Sequence, residues 1–152
     1  SRHKTANAHR QLLGWAADLH EIGMDISHNA YHKHGSYLLS HMDMPGFSRS
    51  EQAQLAILVG MHRRKIVGTS VNRMTKLGVL LRLSAVIHRH RSTADMPTMS
   101  ITINPGESLT LVCLYIDPAY LFEHPLTQLD LENEIQMLKG IDITLEVSRI
   151  KE

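Results

Sequence analysis

The sequence holds one cysteine, one tryptophan and two phenylalanines in 152 residues. A lone Cys113 excludes an internal disulfide and a multi-cysteine zinc site, and it fits a reducing, cytoplasmic setting. No apolar run approaches the ~20 residues that a membrane-spanning helix needs. No apolar region follows the opening Ser-Arg-His-Lys, so the expectation is that no signal peptide is present. No glycine-rich phosphate loop, internal repeat or low-complexity tract occurs. The net charge is +1 with histidines neutral, which argues against a strongly basic nucleic-acid binder. Hydrophobic content of 43% and charged content of 20% are ordinary for a soluble globular domain with its own core.

What the chain has in quantity is histidine, eleven in all. Eight lie in the first 62 residues and three in the remaining 90. Below about pH 6.5 they would make the domain markedly cationic. Four fall within Leu19–His34, a stretch that also holds the neighbours His20 and Glu21, then Gly23. The chain thus divides into a His-rich helical front and a mixed α/β back.

Periodicity predicts the front as helices. The first runs from about His9 to Ile22, with Leu12, Ala16 and Leu19 on one stripe, and Gly23 as its left-handed cap. Ser27 is placed as N-cap of a second helix over His28 to Met42. Asp43-Met44-Pro45-Gly46 is a turn. Ser48 with Glu51 three residues later makes a capping box, opening a helix to about Arg64 with Leu55, Leu58, Val59 and His62 inside. A fourth helix covers Val71 to His90. Met74, Leu77, Leu81 and Ala85 face in, and Arg73, Lys76, Arg82 and Arg89 face out. The joint Ile66-Val67-Gly68-Thr69-Ser70 is short.

In the back the period changes to two. Met99, Ile101 and Ile103 alternate with Ser100 and Thr102, Asn104-Pro105-Gly106-Glu107 turns, and Ser108 to Tyr115 is a second strand of a hairpin. Asp117-Pro118 starts a short helix, and another covers Thr127 to Lys139 and stops at Gly140. Ile141 to Val147 alternate as a half-buried strand added to the hairpin's sheet. The fold class read from this is α+β, mainly α. It has helices over 1–95 and, over 96–152, a small antiparallel sheet of about three strands with two helices.

A histidine beside a carboxylate can ligate a divalent metal and activate water for attack on phosphorus. His28 and His32, spaced i,i+4, would share a helix face and suit one ion. His34 turns to another face, and His62 is a further candidate. His9 and His20 would sit about 16 Å apart along a helix rising about 1.5 Å per residue, too far to share an ion. Against this, a histidine on a mixed helix is more often a hydrogen-bonded packing residue than a ligand. Arg63, Arg64 and Lys65 cluster at a helix end. Such a cluster is either a solvated end favoured by the helix dipole or a phosphate-binding patch matched by guanidinium forks.

Trp15-Ala16-Ala17-Asp18-Leu19-His20-Glu21-Ile22-Gly23, Ile26-Ser27-His28 and Tyr31-His32-Lys33-His34-Gly35-Ser36-Tyr37-Leu38-Leu39 resemble the C-terminal region of the exopolyphosphatase and guanosine pentaphosphate phosphatase (Ppx/GppA) family. So do Met44-Pro45-Gly46-Phe47, His62-Arg63-Arg64-Lys65 and Leu77-Gly78-Val79-Leu80-Leu81-Arg82-Leu83. The resemblance covers most of the chain and is strongest in the first 90 residues.

It implies an HD-like helical domain followed by a small α+β element. The catalytic part in this family is an actin-like domain with a magnesium site, and neither its phosphate loop nor its magnesium carboxylates occur here. The resemblance also implies a longer segment near Ile66 to Val71 than this chain has. An HD enzyme needs a His-Asp pair and a later aspartate. Here the pair is His20-Glu21, and Ala85 stands where the aspartate is expected, so a degenerate site holding no metal is implied.

The expectation is therefore an accessory domain of an exopolyphosphatase, with no cofactor and no catalytic residue of its own and inactive by itself. Its expected partners are inorganic polyphosphate or a phosphorylated guanosine nucleotide, its own N-terminal catalytic domains, and a second copy in a homodimer, with no specific nucleic acid. Candidate polyphosphate contacts are His28, His32, His34, His62, Arg63, Arg64, Lys65, Arg82 and Arg89. The alternatives are an independent HD-type metal-dependent nucleotide phosphohydrolase using His20 and Glu21, and a purely structural dimerisation module.

Overall fold

A computed structural model of the chain describes residues 2–66, 70–89 and 96–149. The elements run α1 (Arg2–Leu19), a 3-10 turn (Ile22–Asp25), α2 (Tyr31–His41), α3 (Arg49–Met61), α4 (Arg73–Arg89), β1 (Met99–Pro105), β2 (Thr110–Ile116), α5 (Pro118–Glu123), α6 (Pro125–Lys139) and β3 (Ile143–Arg149). The α+β class, mainly helical, stands. Val67, Gly68 and Thr69 of the short joint, and His90, lie outside the described residues. The chain forms two compact units, one from the described residues of 1–64 and 73–82, the other from those of 65–72 and 83–152.

In the first unit Leu12 and Ala16 of α1 pack with Leu55 and Leu58 of α3 and with Leu77 and Leu81 of α4. Trp15 meets Phe47 edge-on at 4.7 Å between ring centroids. The capping box forms as read: Ser48 Oγ accepts from Glu51 N, and the Glu51 carboxylate accepts from Ser48 N at 2.8 Å. Helix α1 starts seven residues earlier than its apolar stripe suggests. Its first turns are exposed, so periodicity carries no signal there.

Four expectations need correction in this unit. Gly23 is no left-handed cap. It sits inside the 3-10 turn, buried, and a Cβ on it would strike the Tyr31 carbonyl oxygen and Gly35 N. Glycine is there so that the turn's backbone can lie against α2. Ser27 does not cap α2, since its Oγ accepts from Asn29 N at 3.2 Å. The residue before α2 is Ala30, at φ 54°. His28 is therefore exposed in the loop before the helix and shares no helix face with His32. Arg82, read as outward, is 1% exposed.

In the second unit the sheet order is β1-β2-β3. Central β2 is buried almost throughout, including Val112, Leu114 and Ile116, as a strand covered on both faces should be. β1 pairs with it antiparallel from Met99↔Ile116 to Pro105↔Thr110. β3 pairs parallel, from Thr110↔Ile143 to Ile116↔Arg149, so the sheet is mixed rather than antiparallel. The cause is the connection: α5 and α6 intervene, and a helical crossover brings the chain back to run in the same direction. Asp117 caps α5 by accepting from Ala119 N at 2.9 Å. Leu131 and Leu138 of α6 are buried, and Asp130 holds Arg89 at 2.9 Å.

Candidate functional site

Helix α3 ends at Met61 with His62 as its C-cap. The His62 Nδ1–H donates to the Val59 carbonyl at 2.6 Å. Its ring lies 5.1 Å from His20, 5.3 Å from Tyr31 and 6.4 Å from His32, centroid to centroid. His20 Nδ1 in turn faces the Ala17 carbonyl at 2.6 Å. So the end of α1, the start of α2 and the end of α3 bring three histidines together. His9 and His28 are not among them.

Burial disfavours the charged form of two of the three. His62 is 3% exposed, and burial lowers its pKa to about 4, against the Val59 hydrogen bond that favours the charged form. Nearby His20, His32 and Arg63 push in the same direction as burial. His32 is also lowered, first by burial and then by Arg63, Lys33, Arg64 and Arg82. His62 therefore adds no charge to the site near pH 6, and His32 takes up a proton less readily than an ordinary imidazole, contrary to the expectation for the histidines as a group. His62 Nε2 and His32 Nδ1 are buried with no hydrogen-bond partner among the described residues.

Cations surround this core. The Arg63 guanidinium sits 4.4 Å above the Tyr31 ring, a cation–π contact that fixes its direction. Arg64 is exposed at φ 64°. Buried Arg82 donates from Nη1 to the carbonyls of Met61 at 2.7 Å and Arg64 at 2.8 Å. A helix end leaves carbonyls without partners and a partial negative charge, and a guanidinium answers both. Arg82 thus holds the turn that carries Arg63 and Arg64, and contacts no solvent.

Of the remaining candidates, His34 is half-buried on α2. Lys65 is exposed and belongs to the second unit, as does Arg89 with its Asp130 partner. Glu21 is exposed, 3.8 Å from His20 Nε2. Tyr31 and Lys33 join the site without being candidates from the sequence. Their signal was position, since they flank His32 within Tyr31-His32-Lys33-His34.

Among the described residues no group of three or more His, Cys, Asp or Glu side chains is arranged to hold a metal ion. Magnesium takes oxygen ligands, and the carboxylate adjoining these rings, Glu21, turns to solvent. These residues do not fit a magnesium site.

A family model described as Ppx/GppA phosphatase, domain III, matches residues 1–135. The chain belongs to the Ppx/GppA phosphatase family. It is 34% identical over 145 residues to the guanosine-5'-triphosphate,3'-diphosphate pyrophosphatase of Vibrio cholerae, covering 90% of this chain and 28% of that protein. Enzymes of the same name from Vibrio campbellii and Pseudoalteromonas translucida are 35% and 30% identical, each covering 81% of this chain and 25% of the relative. The chain thus spans about a quarter of the length of these relatives. As a Ppx/GppA domain III, it carries its histidine cluster and its Arg63-Arg64 turn wholly inside the matched segment. No helix of the described residues is long and apolar enough to cross a membrane.

Proposed function

We propose that this chain is the accessory C-terminal part of a cytoplasmic Ppx/GppA phosphatase, an HD-like domain over 1–95 with an α+β element over 96–152. It holds inorganic polyphosphate or a phosphorylated guanosine nucleotide while phosphate release happens in catalytic domains elsewhere in the parent protein. Magnesium chemistry belongs to those domains. The chain also contributes to homodimer assembly.

The observation that carries the binding role is the turn after α3, where Arg63 lies over the Tyr31 ring and exposed Arg64 follows it, both on backbone held from beneath by buried Arg82. The Tyr31 ring and Arg82 hold this turn in place, and buried His62 adds no charge beneath it near neutral pH. A polyanion meeting such a surface gains several weak contacts rather than one tight one. Exposed contacts are screened over a Debye length of about 8 Å at physiological ionic strength. Long polyphosphate should therefore bind better than short, and binding should fall steeply as salt rises. The relatives' name points to guanosine 5'-triphosphate 3'-diphosphate as the alternative anion.

The test replaces Arg63, Arg64 and Lys65 together by glutamine and measures polyphosphate binding against chain length and salt. The expected result is weaker binding of long chains with a shallower salt dependence. Unchanged binding at low salt would leave the surface merely solvated and favour the structural module.

A further inference from the structure

A cavity of the first unit, about 410 Å³, lies along α1. Lys4, Ala8, Gln11 and Trp15 line it at three-to-four spacing, so one face of α1 forms the wall, with Lys4 towards one end and the Trp15 indole towards the other. Gln54 of α3, Arg73 of α4 and His9 also line it.

We propose that this cavity binds a purine nucleoside monophosphate. Its volume is that of a small-molecule site, well beyond what a free phosphate fills. Lys4 and Arg73 bring an ammonium and a guanidinium to the wall, and both suit phosphate oxygens. The wall's one carboxylate, Glu51, accepts from Ser48 N at 2.8 Å, so its hydrogen bonding is directed to the cap of α3. Trp15 offers a flat apolar surface for a heterocycle. Gln11 carries both a donor and an acceptor, and Gln54, whose Nε2 donates one hydrogen to Ser50 Oγ at 3.1 Å, keeps its carbonyl oxygen and a second N–H; a purine edge needs both kinds of group and a phosphate does not. The site is separate from the Arg63-Arg64 turn and does not depend on the role proposed for that turn.

Trp15 is the single tryptophan of the chain, so intrinsic fluorescence reports on the cavity directly. The chain is titrated with guanosine 5'-monophosphate, adenosine 5'-monophosphate, inorganic phosphate and guanosine, with calorimetry in parallel. The expected result is a saturable change at one nucleotide per chain. Phosphate or guanosine alone should bind roughly tenfold more weakly or worse. The exposed-position variant Lys4→Gln/Arg73→Gln should lose roughly tenfold in nucleotide affinity, the scale of losing a hydrogen bond to a charged group, while its melting curve stays that of the parent. Arg63→Gln/Arg64→Gln should bind nucleotide as the parent does. Three results would overturn the proposal. These are no saturable signal, phosphate binding as tightly as the nucleotide, or affinity that follows Arg63 and Arg64 rather than Lys4 and Arg73.

Discussion

The first unit keeps a guanidinium, two imidazoles and one threonine hydroxyl inside, whereas the second keeps two threonine hydroxyls and one carboxylate among strands of valine, leucine and isoleucine. A buried charge or unpaired polar atom is costly unless hydrogen bonds answer it. Arg82 is answered by two carbonyls, but His62 Nε2 and His32 Nδ1 are not. The second unit buries a smaller polar outlier, Thr127 Oγ1, at the start of α6. What the contrast teaches is that the first unit's interior is arranged around the end of α3, where its cations are displayed. The second unit has the interior of a sheet-and-helix scaffold.

The largest expected effect tests how tightly each unit is closed. In the first, Gly23→Ala drives a methyl into the Tyr31 carbonyl and Gly35 N, both backbone atoms that cannot swing aside. Forced overpacking of this kind should destabilise by about 3 kcal/mol or more. In the second, Gly140 ends α6 at φ −72°, and a Cβ there would lie 3.4 Å from the Met137 carbonyl, an ordinary contact. Gly140→Ala should be neutral or gain up to about 1 kcal/mol through the unfolded chain. Urea denaturation of the two variants measures both. Similar losses in the two would mean the close backbone approach at Gly23 is not what the fold depends on.

The pH response should also separate the units. Folded His62 has a pKa of about 4 against an ordinary 6.5. Above pH 6.5 neither the folded nor the unfolded state takes the proton, and the stability is fully present. Between pH 6.5 and 4 the unfolded state takes it and the folded state does not. Stability therefore falls as pH falls, by at most about 3 kcal/mol, and this contribution levels off below pH 4. His32 acts in the same direction. His62→Asn, which keeps a donor for the Val59 carbonyl, should flatten the decline. Hydrogen exchange should show α3 amides losing protection before those of α6 as pH drops. Equal loss in both helices, or an unchanged slope in the variant, would count against a neutral buried imidazole as the source.

Much of the fold could be read before any coordinates. Ser48 and Glu51 announced α3, Asp117-Pro118 announced α5, and the alternation from Met99 to Tyr115 announced the hairpin, because each is a local signal within a few residues. The inner stripe of Leu55, Leu58, Val59 and His62 is buried as its spacing implied. What was illegible is non-local. Nothing near Gly23 in sequence says that α2 will lie on it. The alternation of β3 shows which residues face inward but not strand direction; two intervening helices were the available clue to a crossover. Arg82 follows Leu81 and precedes Leu83 in an apolar run, which could have suggested burial, but its carbonyl partners lie 21 and 18 residues upstream. In the site, the His20–Glu21 pair drew attention by adjacency, whereas the meeting of His20, His32 and His62 needs three helix ends in space.

The smallest effect asks whether Arg64 is kept for stability. Both units place a non-glycine residue in the left-handed region, Arg64 at φ 64° in the first and Asp142 at φ 59° in the second. Each also has its carbonyl engaged, Arg64 by Arg82 Nη1 at 2.8 Å and Asp142 by Thr110 N at 3.0 Å. A side chain in that region costs about 1 kcal/mol or more, though least for Asn and Asp, whose short polar side chains tolerate it. Glycine removes this strain but loosens the unfolded chain by a comparable amount. Arg64→Gly should therefore gain on the order of 0.5 kcal/mol, and Asp142→Gly about nothing. If Arg64 is retained for its charge, Arg64→Gly should become slightly more stable and at the same time bind polyphosphate more weakly, while Asp142→Gly changes neither. A loss of stability in Arg64→Gly would instead mean that its side chain serves the fold, and the case for a cation held there against strain would fall.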